Sequence, residues 1–259
     1  MISILYYTSS IKSELIKVKN TSVVWLTITT ALLFPLLFFA GQIVMYEKST
    51  GGTGINPWIQ FVDSQVQTFV PFFIPMFITL ITSLIMQVEH KSLGFKYLFA
   101  LPIPKWSVYF GKLTIVIIAL IITYSINYSA IMLSGLVLGL IHADLGFLDF
   151  HPDYFNHIKL LFTSFTACLG IIAIQFWLSF RFKSFAVSLG IGMFLTIAGV
   201  MISQTPKAVY FPYSYSMLSV SGTDKLPLII GVPSVIVFSI VCFVLISVLG
   251  YLSIKKNNI

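Results

Sequence analysis

The chain has 259 residues, 58% of them hydrophobic and only 9% charged, where soluble domains average about 25% charged residues. That excludes a soluble globular protein; 24 Phe and 12 Tyr exclude a disordered tail, and two Cys are too few for a disulfide scaffold. The net charge of +7 calls for no nucleic-acid partner, because the basic residues are distributed as loops on the two sides of a bilayer are.

In chain order, a polar lead of about twenty residues carries an amphipathic helix containing Ile11, Leu15 and Val18, expected to lie in the membrane interface. The apolar run after it is longer than the 7–15-residue core of a signal peptide, so it is expected to remain as a resident helix. A spanning helix needs about 20 mostly apolar residues. Charge-free runs predict six of them, near 22–46, 67–88, 108–140, 159–180, 185–204 and 228–253. The expected fold is an all-α polytopic membrane protein forming a single transmembrane domain over 1–259. The uncharged stretch Ala208–Thr223, with Pro212, Tyr210, Phe211, Tyr213 and Tyr215, reads as an interfacial re-entry or cap rather than a seventh crossing.

Lysine and arginine placement orients the bundle. With both termini cytoplasmic, that side has a net charge of +9 (11 basic residues against 2 acidic) and the outside −2 (4 against 6), as the excess of basic residues in cytoplasmic loops requires. The expected location is a membrane whose cytoplasmic side meets the basic end. Cys168 and Cys242 both fall within spans, where a thiol usually serves as a small packing group.

No predicted span carries an ionisable residue in its central portion. Ion-driven transporters and membrane hydrolases both need such groups, so neither class is favoured. Nucleotide binding is not encoded either: the one Gly-Lys pair, Gly111-Lys112, is followed by Leu113 where a phosphate loop needs Ser or Thr. The polar residues at depth are neutral, and helix–helix hydrogen bonding is the ordinary account of them. Asn127, flanked by Tyr124 and Tyr128, is the hardest to dismiss; with Tyr124, Gln42 and Gln175 it marks a candidate substrate path. The loop from Ile141 to His157 holds three His and three Asp, but lacks a recognised ligand spacing. It is read as a solvated loop, with no metal expected, and Phe147, Phe150, Tyr154 and Phe155 are candidates for the outer interface. Gly51-Gly52-Thr53-Gly54 follows no strand and reads as a turn.

The segment from Gln87 to Lys105 is the most informative. Leu93, Tyr97 and Leu101 recur at i, i+4 and i+8 with Leu98 beside them, Lys91 and Lys96 point elsewhere, and Pro102 ends the run. This predicts a short amphipathic helix with Glu89 near its N-terminus, where the helix dipole favours an anion. An interfacial helix on anionic lipid would show the same pattern.

Glu89-His90-Lys91 closing span two, a helix of about ten residues, Leu101-Pro102-Ile103-Pro104-Lys105 and then Gly111-Lys112 opening span three resemble the permease subunits of type-2 (type V) ABC exporters. The span number, the N-terminal helix and the short loop Arg181–Ser184 are similar too. The short-loop form looks most like lantibiotic self-immunity and bacitracin-type peptide-export permeases. One departure stands out: Pro104-Lys105 occupies the place of the usual Arg after the Pro-Ile turn. The resemblance implies that Glu89, His90, Lys91, Leu93, Gly94, Tyr97, Leu98, Leu101 and Pro102 couple the chain to a separate cytoplasmic ATPase. It also implies pairing with a second copy or a sister permease, and ATP and magnesium bound by the partner rather than by this chain. A non-transporting scaffold or sensor subunit is the rival reading.

Overall fold

A computed structural model describes residues 2–19, 21–45, 56–91, 103–221, 228–229 and 232–256. Among these, six helices are long and apolar enough to cross a membrane, and the chain is an all-α, multi-pass membrane protein. α1 (Ile2–Lys19) precedes the first spanning helix, α2 (Ser22–Met45). The second span is composite: α3 (Pro57–Thr68), a π-helical turn Phe69–Phe73, and α4 (Ile74–Lys91). α5 (Lys105–Ile141), α6 (Tyr154–Arg181), α7 (Phe185–Ile202) and α9 (Ser234–Lys256) complete the bundle, and the single-turn α8 (Tyr215–Leu218) lies between the last two.

Span two begins at Pro57, well before the 67 expected from the charge-free run, because local chemistry starts a helix there. The Asn56 side chain accepts the Trp58 amide at 3.0 Å and Pro57 occupies the first turn, where its missing N–H costs nothing; Asp63, the charge that cut the run short, is only half-buried. The π turn coincides with Pro71, and Pro75 follows one turn later. Neither proline has an N–H to give, so the ladder loses donors there.

The spans divide into an inner set and an outer set. Span two is 72% buried within the chain, whereas α7 and α9 are 22% buried and α2 28%. Span two is therefore the core element, and the other three present most of their apolar surface outward, as helices facing lipid do. α2 packs along α5, α9 along α6, and α4 against both α6 and α7. The basic end of the bundle, with α1, Lys91 and Arg181, lies opposite an acidic end carrying Asp144, Asp149 and Asp153.

At the acidic end the loop from His142 to Asp153 is largely exposed, and one of its residues packs inward. Gly146 takes a left-handed turn (φ 73°), a conformation that suits glycine. It delivers Phe147, 5% exposed, between Trp58 and Phe61 at ring separations of 5.1 and 5.4 Å. The Trp58 indole N–H donates to the Phe147 and Phe150 carbonyls at 2.9 and 3.1 Å. Phe150, Tyr154 and Phe155 stay exposed, so of the four aromatic candidates for the outer interface Phe147 alone is a core residue. Among the described residues no three of His, Cys, Asp and Glu gather as a metal site. Beyond α7 the chain makes two short 3-10 turns, Ala208–Tyr210 and Pro212–Ser214, then α8. This segment does not cross the bundle. It tucks Ala208, Tyr213, Tyr215, Ser216 and Val220 inside, and a two-residue antiparallel pairing, Leu228–Ile229 with Val232–Pro233, leads into α9.

Candidate functional site

Three elements converge at the basic end. α1 crosses α5 where Gly111 leaves room: a Cβ there would stand 2.6 Å from Ser10 Oγ. Tyr7 Oη and Thr114 Oγ1 share a hydrogen bond of 2.6 Å one turn away. The inward face of α1 carries Tyr7, Ser10, Ile11, Glu14, Lys17 and Val18. Leu15, expected on the apolar face with Ile11 and Val18, is 43% exposed, and the acid Glu14 is 4% exposed. The helix turns its acid inward because a buried cation waits there.

That cation is Lys112, fully buried two turns into α5. Its ammonium donates to Glu14 Oε2 at 2.6 Å and to Glu89 Oε1 at 2.9 Å, while Lys17 donates to Glu14 Oε1 at 2.9 Å and Glu89 Oε1 at 2.7 Å. Each carboxylate touches both ammonium groups, so the four charges sum to zero. Burying any one of them alone would cost several kcal/mol, whereas the complete set meets its demands internally. Glu89 sits in the last turn of α4, not at the start of a following helix. The dipole there disfavours an anion, and the two lysines, rather than a helix N-terminus, supply the stabilisation. Burial by itself would lower the Lys17 pKa, but its bonds to Glu89 and Glu14 outweigh this and leave it raised above 10.5. A small cleft, bordered by Glu14, Lys17, Val18, Thr21, Ile85 and Glu89, opens beside the cluster.

His90 turns the other way, its Nε2 donating to the Ser179 carbonyl on α6 at 3.2 Å; Lys91 is exposed. Leu93, Gly94, Tyr97, Leu98, Leu101 and Pro102 lie outside the described residues. The expected coupling residues are thus placed only as far as the root of their segment, where Glu89 is locked to α1 and α5.

The four candidate path residues are not gathered in one wall. Asn127, 1% exposed, donates through Nδ2 to the Ala31 carbonyl of α2 at 2.9 Å. Tyr124 is buried against Phe165 of α6, and Gln42 is half-exposed near the end of α2. Gln175, completely buried, donates to the Ser188 carbonyl at 3.0 Å and accepts from Tyr213 at 2.9 Å. Around it Ser83, Ser179 and Ser188 exchange hydrogen bonds of 2.8–3.4 Å across α4, α6 and α7.

Neither the spacing of Glu14 and Lys17 nor the position of Lys112 at the opening of span three predicts that these charges meet Glu89. Two signals for them existed: an isolated acid three residues before a lysine in a basic lead, and an isolated lysine beside a glycine inside an apolar helix.

Six spanning helices with a buried charge cluster at one end define a multi-pass membrane protein whose helices are tied together at the basic end. The family described as ABC-2 family transporter protein matches residues 10–199, and the chain belongs to it, as a permease subunit of an ABC transporter. No curated protein and no solved structure matches the chain. Permeases of this family work with an ATPase subunit.

Proposed function

We propose that this permease exports an amphipathic or hydrophobic substrate, such as an antimicrobial peptide removed for self-immunity, using ATP hydrolysed by a separate cytoplasmic subunit. In this reading the basic end faces the cytoplasm of a bacterium, both termini included, and the chain pairs with a second copy or a sister permease. The observation that carries the proposal is the four-charge cluster: it fixes Glu89, the root of the 89–102 coupling segment, to α1 and α5. A push on that segment would therefore reach three elements at once, shifting the balance between inward- and outward-facing states. Cargo would pass along Gln42, Tyr124, Asn127 and Gln175, and the interhelical bonds of Asn127 and Gln175 would open in the transporting state. Aromatic and aliphatic walls suit apolar cargo, and the lantibiotic-immunity or bacitracin-type class rests on the sequence resemblance.

Co-purification tests it. Tagged permease should retain an ATPase chain, and Glu89→Ala combined with Leu98→Asp should release it. Retention of every partner by the double variant, or no ATPase with the parent chain, would favour the scaffold or sensor reading.

A further inference from the structure

Toward the acidic end, one group of buried polar side chains is left unanswered by the fold. Gln65 of α3 is completely buried, yet neither its Oε1 nor its Nε2 meets a hydrogen-bond partner among the described residues. The same holds for the Tyr124 and Tyr128 hydroxyls of α5 and for Nδ1 of His157 on α6. Tyr124 is 6% and His157 4% exposed. Buried polar atoms are nearly always paired because an orphaned one costs stability, so a group of them at one level of the bundle points to a ligand.

Helix geometry brings these atoms together. α3 and α5 run antiparallel, and the Trp58 ring fills the space a side chain at Gly135 would take. Gln65 follows Trp58 by seven residues and Tyr128 precedes Gly135 by seven. Seven residues are close to two turns, so both steps lead about 10 Å inward along the same pair of faces. The Tyr128 ring meets the His157 ring edge-on at a centroid separation of 6.4 Å, and Tyr124, one turn deeper, packs on Phe165 at 6.0 Å. Asp63 of α3 and Asp153 at the start of α6 both act electrostatically on His157. Lys159 is exposed, about 200° around the helix from His157. Tyr128 is half-buried, Ser125 and Ser129 beside it are exposed, and Tyr154 is 56% exposed, so the group can be approached from the side, between α5 and α6.

The chemistry selects the guest. Gln65 Oε1, Tyr128 Oη and Nδ1 of a neutral His157 are three acceptors, matching the three N–H bonds of a primary ammonium. Two carboxylates attract a cation and repel an anion, and tyrosine rings suit a cation's charge. Among the described residues no three of His, Cys, Asp and Glu gather as a metal site, so an organic cation fits better than a metal ion.

We propose that Gln65, Tyr128 and His157, with Tyr124 beneath them and Asp63 at the rim, form a receptor for the primary ammonium group of an amphipathic molecule whose apolar part stays in the lipid beside α5 and α6. A peptide amine and an aminophospholipid headgroup share this chemistry. That the bound molecule is cargo rests on the transport reading above; the binding does not.

The test uses the full chain, carrying carbon-13-labelled histidine, in nanodiscs of phosphatidylcholine, whose headgroup has no N–H. The His157 resonance is assigned by its loss in His157→Gln. Hexylammonium should shift it saturably, and hexyltrimethylammonium, with the same charge and no N–H, should bind at least about tenfold more weakly. Gln65→Leu removes two orphaned atoms at nearly constant size. It should weaken hexylammonium binding about tenfold and yet raise the melting temperature of the unliganded chain, a split that a merely structural glutamine would not produce. Phosphatidylethanolamine added to the nanodisc should shift His157 without any amine if the receptor takes a lipid headgroup; no shift, with hexylammonium still binding, assigns it to a non-lipid amine. Equal binding of the two hexyl compounds, no saturable shift, or unchanged affinity in Gln65→Leu overturns the proposal and leaves ordered water as the partner of these atoms. If Gln65→Leu does not fold, Tyr128→Phe replaces it, with the same loss of affinity expected. These titrations are read on the permease alone, so a failed ATPase pull-down would refute the transport reading without touching them.

Discussion

The two ends of this bundle are held together by different chemistry. At the basic end four full charges close on one another within 2.6–2.9 Å; at the acidic end the 208–221 segment is held by a tyrosine hydroxyl, a serine hydroxyl and backbone contact with a glycine. The difference follows from what each group leaves behind when its partner is lost. A buried ion without its counter-ion costs about 3–5 kcal/mol, an orphaned neutral acceptor about 1–3 kcal/mol. Losing a partner at the charged end therefore costs more than losing one at the neutral end.

The largest effect expected is that of Lys112→Met. It leaves Glu14 and Glu89 facing each other with only the partly exposed Lys17 between them, and should destabilise the fold by about 3–5 kcal/mol, read as a large drop in thermal stability in detergent. Were Lys112→Met neutral, the contrast between the two ends would collapse. Gly199→Ala comes next. The added Cβ meets backbone, which cannot rotate away, so a loss of about 1–3 kcal/mol is expected, while Gly41→Ala and Gly190→Ala, with nothing within 4 Å, should be neutral or gain up to about 1 kcal/mol from helix propensity. Comparing the three melting curves separates the Gly199–Tyr213 contact from a general intolerance of larger side chains.

Tyr213→Phe should cost about 1–3 kcal/mol by leaving Gln175 Oε1 buried without its donor, an effect measurable by the same melts. Smaller still is Lys17→Ala: its side chain is 33% exposed, solvent screens it, and Lys112 still serves both carboxylates, so about 1 kcal/mol or less is expected. The sign of the pH dependence follows from the raised Lys17 pKa. Its contribution is fully present below 10.5, its ordinary value, and is lost as pH rises through the higher folded value. Stability between pH 6 and 9 should be insensitive to Lys17→Ala relative to the parent curve's shape, with the two curves converging only in strong alkali.

Legibility differed by region for physical reasons. The charge-free runs exposed α2 and α5–α7 almost to their ends, because lipid excludes charge over a fixed thickness. They failed at span two, where Asn56 and Pro57 start a helix ahead of the half-buried Asp63. The loop at Phe147 meets solvent along most of its length, as its polar composition signals, but one aromatic ring and two carbonyls pack on Trp58. At the candidate site Glu89 was recognisable from the pattern following it. Its partners were not, since Glu14 lies 75 residues away along the chain and nothing local pairs it with Lys112.

The sequence by itself determined the class of this protein. Apolar length and the one-sided distribution of lysines specify a six-span bundle with a basic end, because each is a property of a residue and its immediate neighbours facing lipid or water. Tertiary structure decided which charges neutralise one another, which amides and hydroxyls meet across helices, and that Ser216 donates to the Pro71 carbonyl, left open because Pro75 has no N–H. Those pairings join helices distant in sequence through distances near 3 Å, and only the packing of α1, α4, α5, α6 and α7 brings them into range.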